Sequence, residues 1–243
     1  MITDGLHISD DNIRSFLMIG QSNMAGRGEF GEVDDIVNDS CFMLRMGRWQ
    51  RMSEPINTDR AVINGGCRSG VGLAASFADE AAKQLNAKIG LIPCADGGTK
   101  IEQWMPGEVL FDHAVMMTRL AMRSSVFSGI LWHQGESDCR TDEDLYSHKQ
   151  KFITMITALR HELGNESIPV IIGELSENIT CSWNVGERPK IMNSHYREIA
   201  NELPCIGVAS SKGLTMKSDR LHFDSAAYRI FGRRYFEVYS QLI

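Results

Sequence analysis

An apolar run of four residues, Phe16 to Ile19, stops abruptly at Gly20. It is followed by Gln21-Ser22-Asn23 and then by the small residues Ala25, Gly26 and Gly28. Four residues are too few for a helix and suit a buried strand. A buried strand that runs into a glycine-bracketed turn sets its polar residues at the carboxyl edge of a sheet, where open α/β folds place their ligands. The turn has two main readings. Either Ser22 is a nucleophile lifted into a cleft among backbone N–H groups, or Ser22 or Asn23 merely caps a helix. A glycine cradle for phosphate is a third, but the Lys-Ser/Thr that completes a P-loop is missing.

The remaining pattern tells what surrounds that turn. Cys41 to Leu44 and Arg48 to Arg51 read as a small hairpin, and Ser53 to Ser69 as irregular. Apolar residues at helical spacing predict helices over Val71–Leu85, Val109–Met122, Leu145–Leu163, the later part of Arg188–Leu203, and Ala226–Leu242. Between them lie short apolar runs with strand character: Lys88–Pro93, Gly129–Trp132, Pro169–Gly173 and Cys205–Ala209. Strands alternating with helices predict βαβ units, hence an α/β fold with a central parallel sheet and helices on both faces. No repeat or Pro-rich linker divides the 243 residues, so a single domain over 1–243 is expected, with 1–14 a polar lead-in.

Bulk properties narrow the function classes. A hydrophobic content of 43% fills a core, yet no stretch approaches the roughly 18 apolar residues of a membrane span. The net charge of −6 is spread without runs, which argues against nucleic acid or a membrane surface as partner. The N-terminus has neither the basic start nor the apolar core of an export signal, so a cytoplasmic location is the expectation. The six cysteines lie far apart with no CxxC pair, a pattern that suits buried thiols in a reducing compartment and argues against zinc.

Three successive strands end in polar, glycine-containing turns: at Ser22, at Gly97-Gly98-Thr99 and at Gln134-Gly135-Glu136. A parallel sheet gathers such turns along one edge. A hydrolase with a serine nucleophile also needs a base, an orienting acid and donors for the oxyanion. Asp219-x-x-His222, in the loop before the last helix, supplies base and acid from one short segment.

Gly-Gln-Ser-Asn-Met-Ala-Gly, Gly-Gly-Thr-Lys-Ile-Glu-Gln-Trp, Trp-His-Gln-Gly-Glu-Ser-Asp and Asp-Arg-Leu-His resemble, in order, the conserved blocks of the SGNH (GDSL-like) hydrolases. The resemblance is closest to the branch holding sialate O-acetylesterases and acetylxylan esterases of carbohydrate esterase family 6, and it covers about Phe16 to Phe236. It implies a three-layer, flavodoxin-like α/β/α fold and a serine esterase without metal or cofactor that removes acetyl groups from carbohydrate. By the resemblance, Ser22 is the nucleophile, His222 the general base and Asp219 its orienting acid. Gly97 is the oxyanion glycine, with Gly98 adjacent in register, and Gln134 stands where the wider superfamily has an oxyanion Asn. Gln21 replaces the Asp of the more common Gly-Asp-Ser, a habit of the carbohydrate branch.

Competing readings stay beside these. Asp4-x-x-His7 has the same spacing as the proposed dyad but precedes the first strand. Asp224 is either a second orienting acid or the cap of the last helix. His133 is a base, a pocket wall or a buried histidine. Glu136 and Asp138 form a glycosidase pair, or else one supports the site and the other caps a helix. Trp104 stacks on a sugar or packs in the core, Cys94 is buried filler, and Arg68 and Ser69 line the cleft without an assigned role. Gln21, Gly98, Trp104, His133 and Glu136 are therefore the candidate substrate contacts. A small-acyl esterase indifferent to sugar and a non-catalytic sugar-binding relative are the rival functions.

Overall fold

A computed structural model describes residues 13–57, 69–181, 183 and 185–243. The Asp4–His7 pair and Arg68 lie outside those residues. Strand β1 spans Ile13–Gly20 and leads into a four-residue helical turn, α1 (Ser22–Ala25). The hairpin β2 (Cys41–Arg45) and β3 (Arg48–Arg51) follows, then α2 (Leu73–Leu85) and β4 (Lys88–Pro93). Next come α3 (Val109–Ala121), β5 (Val126–His133), α4 (Asp142–Glu162), β6 (Val170–Gly173), α5 (Arg188–Glu202), β7 (Ile206–Ala209) and α6 (Ser225–Ser240).

The seven strands form one sheet in the order β3-β2-β4-β1-β5-β6-β7. All neighbours run parallel except β3, which closes one edge antiparallel to β2. Alternation along the strands divides the core in two. Phe16 and Met18 pack among Phe77, Phe231 and Tyr239, beneath α2 and α6. Leu17 and Ile19 face the other way, toward the core that Leu110, Phe152 and Ile199 of α3, α4 and α5 cover. The expected α/β/α sandwich is the observed one.

Strand β1 starts three residues earlier than its apolar run. Arg14 and Ser15 pair with both neighbouring strands, and Ser15 Oγ accepts a 2.9 Å hydrogen bond from Ser125 Oγ, which removes the need for an apolar side chain there. Helix α2 starts at Leu73 rather than Val71, because Val71 makes a bridge to Gly28. Helix α4 reaches back to Asp142, where the Thr141 side chain accepts from Asp144 N–H.

From β1 the chain builds β2, β3 and β4 on one side and then crosses to β5, β6 and β7 on the other. The carboxyl end of β1 is therefore the point where the strand order reverses, the place at which doubly wound sheets open a crevice. Gly20 makes the exit possible. Its φ is +127°, and a Cβ there would stand 2.1 Å from the His133 carbonyl oxygen of β5. No residue but glycine fits that position.

Candidate active site

Two backbone bonds aim the turn after β1. Gln21 N–H donates to His133 O at 2.8 Å, and Gly20 O accepts from Asp96 N–H at 2.9 Å, so Ser22 emerges between the β4 and β5 turns. A Cβ built on Gly97 would lie 3.6 Å from Ser22 Cβ and 2.7 Å from an Arg27 Nη2, so the bare glycine edge is what faces the serine. Gly98 is exposed, and its carbonyl accepts from Ser137 Oγ at 3.1 Å. Of the two glycines, Gly97 is the one beside Ser22.

The loop between β7 and α6 brings the other pair. Ser22 Oγ is 2.9 Å from His222 Nε2, and His222 Nδ1 is 2.7 Å from Asp219 Oδ2. Asp219 Oδ1 accepts from the N–H groups of Leu221 and His222 at 2.9 and 3.0 Å, which closes the loop on itself. Partial burial pushes the Asp219 carboxyl up. The hydrogen bonds from His222 and Leu221 outweigh it and hold the group below its ordinary value. Asp219 is thus an anion held against the imidazole. Asp224, its rival, caps α6 by accepting from Ala227 N–H at 2.8 Å.

Four of the five expected substrate contacts are buried and have no surface to offer. Trp104 is 1% exposed, stands edge-on to Trp132 at 5.7 Å and donates its indole N–H to Thr99 Oγ1 at 3.1 Å. It belongs to the core. His133 is fully buried, between Tyr235 OH and Glu136 Oε1, each at 3.2 Å. Gln21 turns inward, its Oε1 meeting Gln134 Nε2 at 3.3 Å and the N–H groups of Gly135 and Ser137 at 3.4 Å. Glu136 is buried beneath Asn23, whose side-chain amide donates to it at 2.5 Å. Burial pushes the Glu136 carboxyl up, but His133 and Asn23 overcome that and hold it ionised. It supports the site by hydrogen bonding and does not face a cleft with Asp138.

Gln134 is placed differently from expectation as well. Its Oε1 takes a bond from His148 Nε2 at 3.1 Å; burial drives that imidazole down to about 3, so it is neutral and donates. The amide Nε2 donates to Thr99 O at 2.9 Å and to Asp138 Oδ2. Both amide protons are therefore committed inside the protein, and Gln134 braces the Gly97–Thr99 turn from behind. Ser69 is buried, its Oγ accepting from Arg27 Nη1 at 3.3 Å, and Cys94 sits in the core. A cavity of about 820 Å³ borders the loop that carries His222 at Arg220 and Met216 without touching Ser22 or His222.

Burial raises Asp138 from 3.8 to about 7, against the pull of the Gln134 and Ile101 N–H groups. A carboxyl raised on folding binds more protons folded than unfolded, so its contribution is fully present below pH ~4 and is lost as pH rises to about 7. Within that window each pH unit costs the folded state at most about 1.4 kcal/mol. We expect Asp138→Asn to remove this fall from the urea-denaturation stability measured between pH 4.5 and 8. Parallel pH curves for the two proteins would contradict it.

Signals for Asn23 were weak in the sequence, where it was only a cap. In the structure it touches the loop that carries His222, through Leu221 O and Phe223 N–H, both at 3.3 Å.

A mostly parallel sheet whose β1 turn brings a serine to a histidine and an aspartate has the layout of a carboxylic ester hydrolase, and that is the class of this chain. The comparisons name the family within it. Over residues 12–241 the chain matches the carbohydrate esterases described as sialic acid-specific acetylesterases, and it belongs to that family. The probable carbohydrate esterase At4g34215 of Arabidopsis thaliana is 32% identical over 231 residues, 87% of this chain and 84% of the relative. The X-ray structure of the Arabidopsis thaliana protein AT4G34215 aligns with a TM-score of 0.84 at 29% identity, covering 96% of this chain and 100% of that one. NanS aligns at 0.77 and 21% identity, covering 96% and 98% of the two chains, and shares the fold. Among the described residues no helix is long and apolar enough to cross a membrane.

Proposed function

We propose that the chain removes O-acetyl groups from carbohydrate through an acyl-enzyme on Ser22. The observation that carries the reading is the unbroken Ser22–His222–Asp219 hydrogen-bond chain at 2.9 and 2.7 Å. Ser22 Oγ attacks the acetyl carbonyl while His222 Nε2 takes its proton. Asp219 keeps the other imidazole proton on Nδ1, so the Nε2 lone pair faces the serine. The tetrahedral oxyanion is held by the backbone N–H groups of Ser22 and Gly97. Ser22 heads α1, where the first N–H groups of a helix have no partner within it. His222 then protonates the departing sugar oxygen, and a water activated by the same imidazole releases acetate. Gln134 acts through Thr99, by fixing the turn that carries Gly97.

The family's substrates and the triad make the same demand on an experiment. Purified protein is offered 4-nitrophenyl esters of rising acyl length beside O-acetylated xylan fragments and O-acetylated sialic acids, with acetate and phenol measured. The expected result is turnover of acetyl esters, falling with acyl length, and a higher kcat/KM on one of the sugars than on 4-nitrophenyl acetate. Preference for long acyl chains would point to a different esterase, and no acetate release from any of them would leave only a binding protein.

A further inference from the structure

In a serine triad the aspartate holds the histidine in place. In this chain that explanation is incomplete. Asp219 lies three residues upstream on the same loop, and its side chain is 43% exposed. It fixes the imidazole relative to the loop, but it makes no bond to the turn that carries Ser22. Something else must set the distance between loop and nucleophile.

We infer that Asn23 is the positioning residue that holds the His222 loop at bonding distance from Ser22. Its amide grips the backbone on both sides of the base. Nδ2 donates to Leu221 O and Oδ1 accepts from Phe223 N–H, each at 3.3 Å. The remaining capacity of the amide is used as well. Nδ2 donates to Glu136 Oε1, and Oδ1 accepts from Tyr228 OH at 2.6 Å. All four positions of the amide are filled, and Asn23 is 1% exposed.

The polarity of this grip is fixed from outside. Leu221 O and the Glu136 carboxylate only accept, and Phe223 N–H only donates, so the amide has one orientation. Glu136 is in turn held against His133 Nε2 at 3.2 Å, on the carboxyl end of β5. The base is thereby referred to the central strands through Asn23 and Glu136. Since Ser22 and Asn23 are neighbours on α1, the nucleophile and the support of its base move as one piece. Lys217 Nζ adds a second tie, donating to Arg27 O at 2.6 Å, but it attaches the far end of the loop.

The inference rests on Ser22 and His222 being nucleophile and base, and its test separates the two. Diethyl 4-nitrophenyl phosphate reacts with an activated serine. The Ser22 Oγ–P bond forms, the P–O bond to 4-nitrophenolate breaks, and the serine proton passes to His222. The phenolate burst counts the active sites, and its rate measures how well the base is placed. In Asn23→Ala and Asn23→Ser, chains folded by circular dichroism should still titrate near one site each. The burst rate and kcat per site should fall by about 10²-fold, the cost of a roughly 1 Å misplacement, with KM for 4-nitrophenyl acetate within about threefold. The low-field Nδ1 proton of His222 in the NMR spectrum should persist, because Asp219 and His222 share the loop.

A purely structural role gives the opposite result: fewer sites, each reacting at the wild-type rate. That outcome overturns the inference, and so does loss of the Nδ1 proton. The serine variant keeps a polar group in the buried position, so it remains informative if the alanine variant does not fold. Wild-type protein inert to the reagent would overturn the triad reading itself, and with it this inference.

Discussion

Ser22→Ala leaves a folded chain with no acyl-enzyme burst and a kcat lowered by about 10⁴-fold or more. The size of the effect follows from how much of the site a single oxygen serves. Ser22 Oγ is the atom that His222 Nε2 addresses at 2.9 Å, and among the described residues no other hydroxyl bonds that imidazole. The fold loses little. Ser22 is the first residue of α1, where alanine is accepted, and the turn is held by Gln21 N–H to His133 O and Gly26 N–H to Ser22 O, both of them backbone bonds. Residual catalysis from the backbone donors and bound geometry persists in such variants, so the rate falls without reaching zero. The measurement is pre-steady-state release of 4-nitrophenol from 4-nitrophenyl acetate. An alanine variant that keeps more than a tenth of the rate removes Ser22 from the mechanism.

The second large effect belongs to Asp219→Asn, at about 10³–10⁴-fold in kcat. The substitution keeps an oxygen for the N–H groups of Leu221 and His222, so the loop retains its shape. What changes is the partner of His222 Nδ1. A side-chain amide donates where the carboxylate accepted, the imidazole proton moves to Nε2, and the nitrogen facing Ser22 can no longer take a proton. An orienting acid works only through the imidazole it orients, so Asp219→Ala added to His222→Ala should cost little more than His222→Ala alone. Asp224→Ala is the control, since Asp224 caps α6: about 1 kcal/mol of stability lost, kcat nearly intact. If Asp224→Ala cripples the enzyme and Asp219→Asn only destabilises it, the acid has been assigned to the wrong loop residue.

Much of this was legible because it depended on residue type and short-range spacing. The run Phe16–Ile19 ending at Gly20 marks a strand and its exit. Asp219-x-x-His222 places two side chains on one tight loop, and Asp224 precedes a helix in the position of a cap. What the sequence did not reveal depends on register. Gly20 lies opposite His133, and that pairing decides that His133 and Glu136 point beneath α1 rather than into the cleft. Trp104 looks like a sugar platform until Trp132 and Thr99 are seen to enclose it. Gln134 carries the oxyanion position of its block, yet Thr99 O and Asp138 take its protons. Asn23 was hardest to read, because two of its partners are backbone atoms of Leu221 and Phe223. Backbone partners leave no trace in residue identity.

The proposed nucleophile and base are 200 positions apart, and the base enters on the segment that precedes α6. Helix α6 seats against α2 so closely that a Cβ on Gly232 would meet Leu73 O at 2.0 Å. On a ribosome, Ser22 would emerge early and wait without its base until His222 and α6 behind it have left the exit tunnel and docked. Under the proposed mechanism, hydrolytic competence waits for that docking. By the same mechanism, a chain cut anywhere between Ser22 and Asp219 carries the serine but not its activation, so such a copy is expected not to cleave esters.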